Sequence, residues 1–351
     1  MAMKAINNHT QNTPRRYLIT GGCGFLGTSL IRHLLGNNLA DTIRVLDNLS
    51  VGTRQDLGSV CSFVDLDPKD LNRRTVKTKA GVEQVELITG DICDPVVTRV
   101  AGKEIDIIVH LAANTGVAPS VRNPENDMQC NVVGTFNLLE ASRINEVKHF
   151  IFASSGAPIG ERLPPIHEEI APKPVSPYGA SKLAGEGYCS AYYHTFGIRT
   201  VSLRFGNVYG PGSRNKDSVI ARFIKRAIAG EILEIYGDGN QTRDFIYIED
   251  ILDAILSASC SNIGGEIFQI ATHRETSVNE LVAELRNVFE YMAPDIEIRT
   301  GKKPHRKGDV RRNYSDTSKA KKLLDWSSRW PLQKGLAATV EWFIINESSM
   351  K

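Results

Sequence analysis

Arg16–Asn37 reads RYLITGGCGFLGTSLIRHLLGN. The first residues, RYLIT, form a short apolar run with the look of a buried strand. TSLIRHLLGN has helical spacing and a glycine stop. Between them lies G-x-G-x-x-G at Gly22, Gly24 and Gly27, equally read as G-x-x-G-x-x-G from Gly21. Glycines there permit a tight turn and let backbone N–H groups approach a pyrophosphate. The following helix turns its N-terminus to the anion. A strand, this turn and a helix in sequence predict a dinucleotide-binding βαβ unit. Asp47 ends the next strand, TIRVLDN, about 20 residues on. An acid there accepts hydrogen bonds from the adenosine ribose and repels a 2′-phosphate, which favours NAD over NADP. Arg44 and Arg54 lie nearby and would temper that repulsion.

The alternation continues outward. VELITGD, IDIIVHLAA, KHFIFASS and IRTVSLRFGN are further strand candidates, with helical stretches such as NVVGTFNLLEASRI between them. Strand and helix in turn predict an α/β fold with a doubly wound parallel sheet, Rossmann-like. Residues 14–206 are expected to form this NAD-binding domain, with 242–262 returning to it. After Asn207 glycine-rich turns interrupt helices and short strands. Residues 207–345 read mainly as a smaller α/β substrate-binding lobe. Residues 1–13 read as a disordered tail, and Ser59–Val85 as a rim insertion.

Composition excludes several classes. The 351 residues carry a formal net charge of +2, are 41% hydrophobic and 23% charged, and suit an ordinary globular protein. No polyanion partner, and so no nucleic acid, is implied. The six cysteines show no C-x-x-C and no Cys/His metal spacing, so no metal is expected and reduced thiols fit a cytoplasmic chain. No apolar run reaches the ~20 residues a membrane span needs.

SPYGASKLAGE, Ser176–Glu186, sets Tyr178 and Lys182 four residues apart on a helical pattern. Such residues share one helix face. Alone, Y-x-x-x-K reads as a surface pair; its context changes that. TGGCGFLG, DNLSVG, GDICD, HLAANTGVAPS, ASS, SPYGASK, RFGNVYGPG and TRDFIYIEDI occur in this order. In order and spacing, over about Tyr17–Trp330, they resemble the extended short-chain dehydrogenase/reductases, in particular the nucleotide-sugar epimerase/dehydratase branch typified by UDP-glucose 4-epimerase.

The resemblance implies tightly held NAD and a role for each motif. Tyr178 removes a proton from a sugar hydroxyl while hydride leaves the same carbon. A phenol with pKa ~10 is a poor base at neutral pH. Lys182 and the nicotinamide cation are expected to favour the phenolate, a shift of ~3 units being worth about 4 kcal/mol. Lys182 would also bond the nicotinamide ribose, and Ser155 the reacting oxygen. The cofactor residues implied are Gly21, Gly24, Phe25, Leu26 and Gly27 at the pyrophosphate. Asp47, Asn48 and Gly52 line the adenosine ribose, and Asp91 and Ile92 meet the adenine. Leu111, Ala112, Ala113 and Thr115 follow the strand carrying His110, for which a structural role is expected. Asn131 is expected to start the next helix. Thr115 stands where related epimerases often have Lys.

In the second lobe the resemblance implies Asn207, Arg243 and Arg306 for a nucleotide diphosphate and Asp309 for its ribose. Asn313 falls at the gate beside the sugar C2 substituent. The family continues the catalytic serine as S-S-x-x-V-Y-G, whereas this chain reads SSGAPIG, with Pro158 and Ile159 in place of Val-Tyr. The 4,6-dehydratases carry Asp-Glu where Gly156 and Ala157 stand here, and the decarboxylases a Glu in place of Ala157. The expectation is therefore epimerisation of a nucleotide sugar, foremost a UDP-hexose at C4, by a homodimer. A 2-epimerase, a ketosugar reductase and a non-catalytic NAD sensor are the alternatives.

Overall fold

The structure, a computed structural model, describes residues 15–71, 84–304 and 310–348. The expected N-terminal tail, and Arg306 and Asp309, lie outside these residues. In chain order the strands are β1 (Arg16–Thr20), β2 (Thr42–Asp47), β3 (Val64–Asp65), β4 (Val85–Thr89), β5 (Ile107–His110), β6 (His149–Ser155), β7 (Arg199–Phe205), β8 (Asn207–Tyr209), β9 (Leu233–Tyr236), β10 (Thr242–Arg243), β11 (Phe245–Tyr247), β12 (Glu266–Ile270), β13 (Thr276–Ser277) and β14 (Thr300–Lys303).

Eight of these form one sheet in the order β12-β7-β6-β5-β1-β2-β4-β3. From β1 the chain builds outward to β2 on one side and to β5 on the other, and both pairings are parallel. The carboxyl ends of β1 and β5 therefore flank a topological switch point, where open α/β sheets bind ligands. The inner strands are apolar on both faces, as a covered sheet requires. Leu18, Leu46, Ile108 and Phe150 pack in one cluster with Leu138, Leu139, Cys189 and Tyr192 from the covering helices. The segment read as a rim insertion contributes more than a loop: Val64 and Asp65 pair in parallel with β4 and extend the sheet edge.

The chain divides into two compact units. The first takes Met1–Gly160, Ala171–Arg204 and Ala254–Phe268. Its helices are α1 (Phe25–Gly36), α2 (Arg54–Gly58), α3 (Pro68–Leu71), α4 (Pro95–Ala101), α5 (Val117–Arg122), α6 (Pro124–Met128), α7 (Gly134–Ile144) and α8 (Pro177–Phe196). A single π-helical turn, Gln129–Val133, joins α6 to α7.

The second unit takes Glu161–Ile170, Phe205–Asp253 and Gln269–Lys351. Helix α9 (Val219–Ile228) precedes α10 (Ile248–Cys260), whose residues from Ala254 on belong to the first unit, then come α11 (Val278–Met292), α12 (Ser318–Leu324) and α13 (Leu332–Ser348). Helix α11 starts at a capping box in which Ser277 and Glu280 satisfy each other's backbone N–H groups. Its apolar face packs on α13. Two-stranded pairs, β8 with β11, β9 with β14 and β10 with β13, complete this unit. Among the described residues no helix is long and apolar enough to cross a membrane.

Candidate active site

The glycine turn leaves the carboxyl end of β1. Gly21 has φ +68°, and a Cβ there would lie 2.9 Å from the Ala112 amide nitrogen. Only glycine allows the turn to pass so close to the second residue after β5. Helix α1 opens at Phe25, and its N-cap, Gly24, offers no side chain to its first N–H groups. A helix N-terminus without a side-chain cap is a place where anions bind. Phe25 and Leu26 are part-exposed on that first turn.

Asp47 closes β2 beside the turn. Its two oxygens accept from the Cys23 N–H at 2.9 Å and the Leu49 N–H at 2.8 Å. Burial raises its pKa, against these two bonds. Asn48 Nδ2 donates to Asp91 Oδ2 at 2.9 Å, which links the ends of β2 and β4. Gly52 lies against the Cys23–Gly24 peptide. Ile92 is buried, and its carbonyl accepts from Asn137 at 3.0 Å. Leu111, Ala112 and Ala113 are half-buried after β5, whereas Thr115 is exposed.

The two arginines beside Asp47 are committed elsewhere. Arg44 is buried, with Nε on Glu86 at 2.9 Å and Nη1 on the carbonyls of Ala101 and Lys103. Arg54 pairs with Asp65 and donates to Thr89 Oγ1 at 2.8 Å. Arg44 is thus not a group that tempers Asp47, contrary to the expectation from proximity in sequence.

Ser176 caps α8, accepting from the Gly179 N–H, and Pro177 occupies the first turn. This start places Tyr178 and Lys182 one turn apart. The Tyr178 phenol faces the Ser155 side chain at the end of β6, whose hydroxyl acts to lower its pKa. Ser155 Oγ also accepts from the Ala157 N–H at 3.1 Å. Lys182 Nζ donates to the Ala153 carbonyl at 2.9 Å and sits 4.8 Å from the centroid of the Phe152 ring.

Burial dominates both titrations. It pushes the Tyr178 phenol up to about 12, against the Ser155 hydroxyl, and Asp127 adds to the rise. It pulls the Lys182 ammonium down to about 8, against Asp127 and Glu186. The expected lowering of the phenol by Lys182 does not arise within the protein alone. The ammonium is directed at a backbone carbonyl, and burial is the largest influence on the phenol.

Asn131 does not start a helix. It lies in the π-helical turn, buried, with Oδ1 accepting from the Asn114 N–H at 2.9 Å. Its Nδ2 donates toward Asn114 O, Asp127 Oδ1 and Ser181 Oγ at 3.0, 3.0 and 3.1 Å. Two groups carry weight that the sequence reading did not give them. Glu186, one turn beyond Lys182, forms a buried bidentate pair with Arg204 at 2.7 Å and accepts from Ser154 Oγ at 2.6 Å. It clamps α8 to β6 and β7, and its i+4 spacing from Lys182 was the available signal. Asp127 is buried, and its Oδ2 has no partner among the described residues.

In the second unit Asn207 is exposed at the start of β8, its N–H on the Asp244 carbonyl at 2.8 Å. Arg243 Nη1 donates to the carbonyls of Thr242 and Val310, both at 2.7 Å. The N–H of Asn313 donates to Thr242 Oγ1 at 3.3 Å, and its neighbour Arg312 forms a bidentate pair with Glu275 at 2.7 Å. Asp244, which the sequence reading passed over, is buried and gathers these segments. It accepts from Thr272 N–H and Oγ1 at 2.7 and 2.6 Å and from Ser315 N–H at 3.2 Å. Among the described residues no group of three or more His, Cys, Asp or Glu side chains is arranged to hold a metal ion.

Residues 17–271 match the model of the NAD dependent epimerase/dehydratase family. A putative UDP-glucose 4-epimerase of Methanocaldococcus jannaschii is 35% identical over 331 residues, which span 93% of this chain and 97% of the relative. The crystal structure of UDP-glucose 4-epimerase from Thermotoga maritima, with UDP-glucose, is 33% identical with a TM-score of 0.80, over 96% of this chain and 100% of that one. That of the Thermus thermophilus UDP-glucose 4-epimerase, in complex with NAD, is 30% identical with a TM-score of 0.78, over 94% and 99%. The α1 N-terminus without a side-chain cap, the tight turn that Gly21 permits and the carboxylate of Asp47 fit the pyrophosphate and ribose of that dinucleotide. The chain belongs to the NAD-dependent epimerase/dehydratase family, an enzyme whose cofactor is NAD.

Proposed function

We propose that this protein is a nucleotide-sugar 4-epimerase acting on a UDP-hexose. The observation that carries the reading is the turn just after Ser155. Gly156 leads into a 3-10 turn, Ala157–Ile159, in which Pro158 and Ile159 are buried and no side chain bears a carboxylate. Loss of water or of carbon dioxide needs an acid and a base beside the sugar, and this turn supplies neither. Oxidation followed by rereduction needs only a base that takes a proton and later returns it.

In this reading Ser155 Oγ holds the C4 oxygen and Tyr178 takes its proton. NAD, when bound, supplies the acceptor for the C4 hydride and its return to the opposite face of the 4-keto sugar. Tyr178 then gives the proton back, so protons and electrons balance over the cycle. A phenol near 12 in the protein alone needs positive charge beyond that of Lys182 to act at neutral pH, and the nicotinamide cation of bound NAD would supply it. Gly21, Gly24, Phe25, Leu26 and Gly27 would hold the pyrophosphate, and Asp47, Asn48 and Gly52 the adenosine ribose. Asp91 and Ile92 would meet the adenine, and Leu111 to Ala113 the dinucleotide after β5. Asn207, Arg243 and Arg306 would bind the substrate diphosphate, Asp309 its ribose, and Asn313 would gate the sugar C2 substituent.

The same reading includes a homodimer. Phe136, Tyr188 and Phe196 on α7 and α8 are 39%, 42% and 49% exposed, and the first two rings meet edge to face at 5.7 Å. An apolar face of that kind suits pairing of these helices with those of a second copy. All six cysteines are thiols, in keeping with a cytoplasmic site of action.

The test is a panel of nucleotide sugars incubated with the purified protein and resolved by chromatography. Interconversion of a UDP-hexose with its C4 epimer, without net consumption of reduced cofactor, is the expected result. Stoichiometric oxidation of NADH, or a product that has lost water, would overturn the assignment.

A further inference from the structure

His110 ends β5, and the aromatic rings of Phe150 and Phe152 pack around it. Its side chain is buried. Nδ1 lies 2.8 Å from Thr20 Oγ1, and Nε2 lies 3.0 Å from Thr135 Oγ1. A hydroxyl has one hydrogen to give. Thr135 gives its hydrogen to the Asn131 carbonyl at 2.7 Å. Toward His110 it can therefore only accept, so Nε2 carries the proton. Nδ1 is then a bare acceptor and takes the Thr20 hydrogen. Thr20 Oγ1 in turn accepts from the Ala112 N–H at 3.2 Å. The opposite tautomer would give up the 2.7 Å bond and leave the Thr20 hydrogen without an acceptor that the structure shows.

We infer that His110 is a positioning residue, held as the Nε2–H tautomer, which fixes the polarity of a hydrogen-bond chain from the glycine turn to the catalytic helix. The chain runs from the Ala112 N–H through Thr20, His110 and Thr135 to Asn131. The Asn131 side chain then bonds Ser181, and Ser181 Oγ donates to the Tyr178 carbonyl at 3.1 Å. The ring stays neutral because burial holds its pKa well below the usual value, with Lys182 on α8 adding to that effect. A second proton, on Nδ1, would take away the acceptor of the Thr20 hydrogen. The chain thus couples the floor under the cofactor to the first turn that carries the base. Its catalytic half rests on the proposed role of Tyr178; the tautomer does not.

The experiment uses the NAD-loaded protein labelled with 15N-histidine. The His110 ring is expected to show one protonated and one bare nitrogen, with the proton assigned to Nε2 by its coupling pattern. Neither signal should move between about pH 7.5 and 5.5, where an exposed histidine titrates. A proton on Nδ1, or a doubly protonated ring in that range, would overturn the inference whatever the enzyme acts on. Thr135→Val and Thr135→Ser test the coupling. Valine removes the acceptor for Nε2–H and should change the tautomer signature. It should lower kcat roughly 10- to 100-fold with KM held within about threefold, the pattern of a misplaced base. Serine keeps the hydroxyl and should restore both. Wild-type kcat in Thr135→Val with an unchanged ring spectrum would remove the positioning role. Should valine prevent folding, Thr135→Ser and the wild-type spectrum still decide, because serine is required to preserve both signatures.

Discussion

The two ends of the parallel sheet use polar residues in opposite ways. Toward the amino ends, charges are spent on one another. Arg16 forms a bidentate pair with Asp106 at 3.1 Å, and buried Arg44 is held by Glu86. His149, which opens β6, faces Arg199, which opens β7. At the carboxyl ends stand Thr20, Asp47, His110 and Ser155, few of them ionised and several with bonding capacity left over. Asp47 accepts two backbone N–H bonds, and a carboxylate has lone pairs for more. The glycine turn opens at the same end. The contrast teaches that a polar residue in a sheet is not a site marker by itself. The site is marked by where that polarity gathers, at the strand ends on which the helix N-termini converge.

That contrast makes separable predictions. The largest effect belongs to the carboxyl end. Tyr178→Phe deletes one part-buried hydroxyl and leaves α8, its cap and Lys182 in place. Turnover should fall by ~10²–10⁴, the usual contribution of a general base. NAD binding and the urea midpoint should stay near the wild-type values. A mutant that keeps near-native turnover would remove Tyr178 from the mechanism.

At the amino side the effect should be on stability alone. Arg44→Met leaves Glu86 buried without its counter-ion and strips a donor from the Ala101 and Lys103 carbonyls. Breaking a buried pair from one side costs about 3–5 kcal/mol. Urea unfolding should show that loss, while kcat at a temperature where the variant is folded should be unchanged. A loss of activity without a loss of stability would mean that the two ends are not separate in function.

Legibility in the sequence tracks the range of each interaction. Gly21 to Phe25 and Tyr178 to Lys182 are local, and a short pattern states them in full. The commitment of Arg44 is not legible, because β2 is buried on both faces and its alternation does not reveal which way a side chain points. Its partner Glu86 lies on another strand. Asn131 was misplaced because one π-helical turn lets a helix continue through a position where the apolar period restarts. The edge strand Val64–Asp65 is too short for any period to show. In the second unit, Asn207, Arg243 and Asn313 could be picked out by motif. The buried carboxylate of Asp244 ties Thr272 and Ser315 to that region, a junction of three separated stretches of chain that no short pattern announces.

Asn313 carries the next prediction, where motif and geometry are most loosely joined. Its side chain is part-exposed, and its backbone N–H is anchored on Thr242. If it gates the sugar C2 substituent, the enzyme should accept N-acetylhexosamine nucleotides beside plain hexoses. Asn313→Tyr should then depress kcat/KM on the acetylated sugar at least as much as the ~10–200-fold that one methylene changes, and spare the plain sugar. Equal losses on both would show that Asn313 is not the gate and that the pocket wall lies elsewhere.

The smallest effect returns to the amino end, at His149. An arginine only donates, so the 3.3 Å contact from Arg199 Nη1 requires Nε2 of His149 to be the bare nitrogen. The proton is then on Nδ1, which is buried without a partner among the described residues. Burial first, then the charges of Arg199 and Lys148, holds this histidine down at about 4 against an ordinary 6.5. In the unfolded chain the ring gains a proton as the pH falls below 6.5, whereas the folded ring gains it only near 4. The unfolded state thus binds more protons in that window. Stability is full above about 6.5 and declines as the pH falls toward about 4. His110, also buried neutral, adds to the decline with the same sign. Asp47 and Asp244, whose pKa values burial raises, act with the opposite sign as they protonate. Comparing wild type with His149→Phe cancels those shared contributions. A fully buried histidine would give a slope of about 1.4 kcal/mol per pH unit. His149 is part-exposed and water screens it, so the wild-type loss between about pH 7.5 and 5.5 should exceed that of the variant by roughly 1 kcal/mol or less. Turnover at neutral pH should not change, since β6 carries His149 at the end opposite Ser155. Parallel stability curves would mean that the folded ring titrates freely, and altered turnover would mean that the amino end communicates with the site.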